Sequence, residues 1–157
     1  MIINGGINKM AAAVYLAGPF FDDEQRQILQ SVEENLRLNK SVESLFVPMK
    51  ETNQANLELG TAAWRKLVYQ EDLTGLTQAD VLVAIYDYGA SASDPGTMFE
   101  IGYAAAHHMP IVVYNQQQPN LNLMIAESLT YYCTDVQQLQ QLDFAQLPHK
   151  SYVGKVM

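Results

Sequence analysis

Short apolar blocks alternate with stretches of helical spacing along the whole chain. The first block, Ala12-Ala13-Val14-Tyr15-Leu16-Ala17, is stopped by Gly18-Pro19 and reads as a buried strand leaving a sheet. Asp22 then suits a helix N-cap, with Asp23 and Glu24 in the first turn and Gln25 at the capping-box position. Ile28, Leu29, Val32 and Leu36 recur at helical spacing until the polar Asn39-Lys40-Ser41 closes the element. Leu45-Phe46-Val47 is a second predicted strand, stopped by Pro48. Lys50 to Gly60 is polar and is expected to be a loop, long enough for a functional flap. Thr61 caps a predicted helix running to about Asp72, with Trp64, Val68 and Asp72 on one stripe and Gly75 as its stop. Val81-Leu82-Val83-Ala84-Ile85-Tyr86 is unbroken and apolar, as in strands buried on both faces of a parallel sheet.

After a loop through Tyr88-Gly89 to Ser93, a helix is entered at Asp94, a good N-cap, with Pro95 at the first helical position. Glu100 is the only charged side chain between Asp94 and the pair His107-His108. An ionised carboxylate on an otherwise apolar helix is costly to bury without partners, so Glu100 either takes the one solvated face or has a function. Ile111-Val112-Val113-Tyr114 is a further strand, followed by the polar Asn115 to Pro119. Asn122 to Leu129 is a short helix, Tyr131-Tyr132-Cys133 a last strand, Asp135 to Leu142 a Gln-rich helix, and Pro148 to Met157 an irregular tail. Strands alternating with helices over about five units predict an α/β fold. The expectation is three layers, a five-stranded parallel sheet in flavodoxin-like order with helices on both faces. Ligands in such sheets bind beyond the carboxyl ends of the strands, and the helix bearing Glu100 leaves one of those ends.

The 157 residues fit one domain, expected at 12–157 after a loose leader at 1–11. A net charge of −8 argues against nucleic acid or an anionic membrane as partner, because both need a basic face. The single cysteine, Cys133, allows no internal disulfide and fits a reducing compartment. No apolar run approaches the ~20 residues of a membrane span, and Met1 to Met10 lacks the features of a signal peptide. The cytoplasm is the expected location.

Gly-rich phosphate loops, dinucleotide fingerprints and serine nucleophile elbows are absent from the sequence. The adjacent His107 and His108 do not converge on one metal and Cys133 has no companion, so no metal is expected. What remains is carboxylates with aromatics: Asp72, Asp94 and Glu100, with Tyr15, Phe20, Phe21, Trp64, Tyr86, Tyr88 and Tyr103. A pair of carboxylates flanking a glycosidic bond is the constellation for sugar transfer. Aromatic rings offer a stacking wall to a nucleobase, worth ~1–3 kcal/mol per base. On the residues alone, Asp94 reads equally as a helix cap, Asp72 as a helix-end acid and the aromatics as core.

Four blocks extend this reading: Val14 to Phe21, Tyr69-Gln70-Glu71-Asp72-Leu73-Thr74-Gly75-Leu76, Asp94 to Ala104, and Leu121-Asn122-Leu123-Met124. In this order they resemble the nucleoside 2-deoxyribosyltransferases, from about Val14 to the C-terminus. The resemblance implies that Glu100 is the nucleophile that forms a covalent 2-deoxyribosyl-enzyme, and that Asp72 protonates the departing base and deprotonates the incoming one. It implies that Tyr15 holds the nucleophilic carboxylate, Asp94 binds a sugar hydroxyl and Phe20 walls the base. Asn122 matches an asparagine that the family supplies from a neighbouring subunit, and the terminal carboxylate, here of Met157, is expected to reach the active site. The substrates implied are deoxynucleosides and free nucleobases, without metal or cofactor, in a homo-oligomer for which the family suggests a hexamer. Some members end in tyrosine where this chain has Met157, and Lys50 to Gln54 does not reproduce in register a polar residue that some place near the base. The rivals are an N-glycoside hydrolase of deoxynucleosides or their 5′-monophosphates and a non-catalytic nucleoside-binding module.

Overall fold

Alternation along strand β1 (Ala12–Ala17) assigns the two faces of the molecule: Val14 and Leu16 enter one apolar cluster, Tyr15 and Ala17 the other. The same division continues in β3 (Val81–Ile85) and β4 (Ile111–Tyr114). The computed structural model describes residues 10–89 and 93–157. Within them β2 (Val42–Phe46) and β5 (Tyr131–Cys133) complete a five-stranded sheet of order β2-β1-β3-β4-β5. Every pairing in it is parallel.

One face is covered by α1 (Asp23–Leu38) and α6 (Val136–Gln141), through Leu29, Val32, Leu36 and Leu139. Leu76 of α3 (Ala62–Gln78), Ile101 and Ala104 of α4 (Pro95–Ala106) and Ile125 of α5 (Leu123–Ser128) cover the other. The chain therefore passes from β1 over one face to β2, then back over the opposite face to β3. The strand order reverses between β1 and β3, and the crevice at their carboxyl ends is where this architecture places ligands.

Three local expectations need correction. Strand β2 starts earlier than the apolar block suggests, at Val42, because an edge strand leaves Glu43 and Ser44 exposed. Val47 is instead the N-cap of a short helix, α2 (Pro48–Glu51), so the polar stretch from Lys50 begins as helix. Helix α3 runs through Gly75 to Gln78. The glycine serves close packing, since a Cβ there would lie 2.7 Å from Cζ of Phe46. The tail is tied back at two points, by bridges of Lys150 to Tyr131 and of Val156 to Leu121. Of the expected leader, residues 1–9 lie outside the described residues, as do residues 90–92 of the loop before α4. No described helix is long and apolar enough to cross a membrane.

Candidate active site

Tyr15 projects from the middle of the sheet toward α3 and α4, and it is fully buried. Its ring stacks on Phe46 of the neighbouring strand, with centroids 5.2 Å apart and 14° between the planes. This leaves the hydroxyl as the free end, and it donates to Glu100 Oε1 at 2.6 Å. Glu100 reaches that point because α4 is fixed at its start. Asp94 Oδ2 accepts from the amide of Thr97 at 2.9 Å and from its hydroxyl at 2.6 Å, and Pro95 sets the first turn. Helical spacing then carries Glu100 to the sheet side, while Phe99 stays half-exposed.

Asp72 comes from α3, one turn after Val68 and one turn before the buried Leu76. It lines the same cavity as Glu100, and its Oδ1 is buried without a hydrogen-bond partner among the described residues. Such an atom costs free energy unless the carboxyl is protonated or a ligand meets it. The electrostatics agree. Burial raises the Asp72 carboxyl to about 6, with the charge of Glu71 adding to the effect. Burial also raises Glu100 to about 7; the Tyr15 hydrogen bond works against this, and the charges of Asp72 and Asp94 work with it. Two interacting acids of this kind share one proton near neutrality, and their two titration steps belong to the pair. The hydrogen bond from Tyr15 favours the anion at Glu100, and the partnerless Oδ1 favours the proton at Asp72. Burial, then the charge of Glu100, holds the Tyr15 hydroxyl well above its ordinary range, so it remains a donor at every working pH.

The cavity is open and measures about 470 Å³, within the range usual for small-molecule sites. Phe20, Phe21 and Tyr88 make its aromatic wall, and Asp94 and Glu100 its acidic end. Phe20 and Phe21 stack at 5.3 Å, and Tyr88 meets Phe21 edge-on at 6.4 Å. A second, smaller hollow of about 320 Å³ shares Asp72, Gly96 and Glu100 with it and is lined also by Tyr69 and Phe99. The described residues contain no group of His, Cys, Asp and Glu placed to hold a metal.

The family model described as Nucleoside 2-deoxyribosyltransferase matches residues 14–144. The chain belongs to this family. A nucleoside deoxyribosyltransferase from Limosilactobacillus fermentum is 30% identical over 129 residues, covering 74% of this chain and 76% of that protein. A solved 2-deoxyribosyltransferase from Bacillus psychrosaccharolyticus superposes with a TM-score of 0.81 at 33% identity, covering 90% of this chain and all of the other. A CMP N-glycosidase from Clostridium botulinum shares the fold, with a TM-score of 0.57 at 18% identity over 85% of this chain and 99% of that one.

Of the residues expected to form the deoxyribosyltransferase site, five meet in one chain: Tyr15, Phe20, Asp72, Asp94 and Glu100. Asn122 and Met157 are elsewhere, and they are together. Asn122 is the exposed N-cap of α5, its Oδ1 accepting from the amide of Met124 at 2.9 Å. The amide of Leu123 donates to Met157 O at 3.1 Å, and that of Met157 to Leu121 O at 3.1 Å. Neither side chain lines the Glu100 cavity of its own chain. Trp64, expected beside Asp72, is not among the lining residues, whereas Val68 is. Sequence reasoning missed Phe46, Thr52 and Phe99, which carry no chemical signal and enter only through packing. Glu71 carries a signal of its own, as a second carboxylate adjacent to Asp72 in the same block.

Proposed function

We propose that this protein transfers 2-deoxyribose from one nucleobase to another, in nucleoside salvage in the cytoplasm. The observation that carries the reading is the Tyr15–Glu100 hydrogen bond beside an Asp72 oxygen left without a partner in the same cavity. Glu100 attacks the anomeric carbon, the C–N bond to the first base breaks, and Asp72 gives its proton to the departing nitrogen. The product is a deoxyribosyl ester on Glu100. A nitrogen of the second base then attacks the same carbon, the ester bond breaks, and Asp72 takes the proton from that nitrogen. Glu100 and Asp72 are restored, and the two halves predict ping-pong kinetics. A 2-deoxy sugar suits this route because no electron-withdrawing hydroxyl adjoins the carbon that develops positive charge.

Asp94 both caps α4 and binds a sugar hydroxyl. Its two capping bonds fall on Oδ2, which leaves Oδ1 for the ligand. Phe20 walls the base. Asn122 and the carboxylate of Met157 act in a neighbouring subunit's site, in a homo-oligomer with a hexamer as the favoured form. Their shared place at the start of α5, beside the exposed Leu123 and Met124, supports a contact with a second chain. The cavity's described lining has three carboxylates and neither lysine nor arginine, which favours nucleosides over their 5′-phosphates.

Incubation with deoxyinosine, with and without adenine, tests the reading by chromatography. Deoxyadenosine formed only with adenine supports transfer. Free deoxyribose in both samples supports a hydrolase, and unchanged deoxyinosine a binding module.

A further inference from the structure

Helix α3 carries two consecutive carboxylates, and the chemistry above uses only Asp72. Glu71 lies about 100° further round the helix and meets the segment that follows α2. Its Oε2 accepts from the amide of Asn53 at 2.6 Å. Asn53 has φ of 55°, a left-handed conformation that asparagine tolerates better than most residues. The Asn53 side chain then closes the loop on itself. Its Oδ1 accepts from the amide of Leu57 at 2.9 Å, and its Nδ2 donates to the Leu57 carbonyl at 3.1 Å. Thr52, immediately before, lines the large cavity and donates its hydroxyl to Pro48 O at 2.8 Å. A turn built around one asparagine is thus anchored to α3 by a carboxylate adjacent in sequence to Asp72.

We propose that Glu71 is a positioning residue for the transfer, fastening the loop 52–57, whose Thr52 lines the cavity, to the helix that carries the acid. The bond is charge-assisted and so among the stronger of its kind. It acts on the substrate through two neighbours, Thr52 on the loop and Asp72 on the helix, whose spacing it sets. The Glu71 charge has a second effect, because after burial it is the next cause of Asp72 holding its proton. The other ionisable groups that line these hollows are Glu51 from α2, Tyr69 on α3 itself, Asp94 at the start of α4, Glu100 within it, and Tyr15 from β1. Lys50 of α2 is turned away to Glu33, 2.7 Å from its Oε2. The negative charge at Glu71 is therefore felt by Asp72 with little local compensation.

This role rests on the reading of Asp72 as the proton donor, and three measurements separate the two. Glu71→Ala and Glu71→Gln are compared with the wild type by amide exchange at Asn53, by carbon-13 titration of the Asp72 carboxyl, and by base-exchange kinetics across pH. The alanine variant is expected to exchange the Asn53 amide roughly tenfold or more faster, as the loss of one bond to a charged acceptor implies. Its KM rises severalfold while kcat changes less. The glutamine variant keeps an acceptor for the amide, so exchange and KM return toward the wild type. In both variants the Asp72 carboxyl titrates at lower pH, and the alkaline limb of kcat/KM moves the same way. An Asn53 amide as slow to exchange in the alanine variant as in the wild type overturns the proposal, and so does an Asp72 titration unmoved by Glu71→Gln. A wild type that exchanges no bases strikes at the transfer reading alone, and the amide and carboxyl measurements still decide the role of Glu71.

Discussion

The hydroxyl of Tyr15 and the carboxylate of Glu100 are 85 residues apart in sequence and 2.6 Å apart in space. The bond joins the sheet to α4 at the one charged position of that helix. Tyr15→Phe removes it and leaves the ring stacked on Phe46. A hydrogen bond to a charged group contributes ~1.5–3 kcal/mol, so kcat/KM is expected to fall roughly ten- to hundredfold. The thermal midpoint should fall as well, since Glu100 is left in a buried setting without that donor. Rates measured on deoxyinosine and adenine check this, and a variant as fast as the wild type removes Tyr15 from the mechanism.

The active form keeps one proton on the Asp72–Glu100 pair, so kcat/KM is expected to follow a bell with its maximum between about 6 and about 7. Below that range the pair takes up its second proton and no carboxylate is left to attack. Above it the pair loses its shared proton and none is left for the departing base. A pH profile of base exchange is the measurement, and a rate still climbing from pH 6 to 9 contradicts the shared proton.

The same two carboxyls weaken the fold at neutral pH. Both hold protons more tightly folded than unfolded, so from their ordinary values of 3.8 and 4.5 up to about 7 the folded chain binds more protons. Stability therefore falls as pH rises through that window. Glu100→Gln removes the cost while keeping an acceptor for Tyr15. It should be more stable than the wild type by on the order of 1–3 kcal/mol at pH 8, about equal to it at pH 4, and inactive. Urea unfolding at the two pH values checks the sign.

Much of this was legible from residue patterns because the elements that matter are locally consistent. The Asp94 cap, Pro95 and an apolar run specify α4, and the unbroken Val81 to Ile85 block specifies a central strand. The start of β2 was hidden because its exposed edge carries polar residues. The end of α3 was misplaced because a helix stop and a close approach both call for glycine, and only the Phe46 ring tells them apart. Within the site, Glu100 stood out as a lone charge. The meeting of Tyr15, Asp72 and Glu100 spans three elements that no local spacing connects. Phe46 could not be found at all before the fold was known, since its part is to hold a ring against Tyr15.

That ring also makes Gly75 a distant lever on the chemistry. A Cβ at position 75 would lie 2.7 Å from Cζ and 2.8 Å from Cδ1 and Cδ2 of Phe46, closer than carbon atoms approach. The ring cannot move freely, because its other side stacks on Tyr15. Gly75→Ala gains up to ~1 kcal/mol of helix propensity, whereas forcing a methyl into a packed contact costs about 1–3 kcal/mol. The net expectation is a modest loss of stability with a larger loss of activity, since the displaced ring pushes on the residue that holds Glu100. Thermal denaturation beside base-exchange rates tests this. If the alanine variant is stabilised and fully active, Phe46 has room to yield and does not help to place Tyr15.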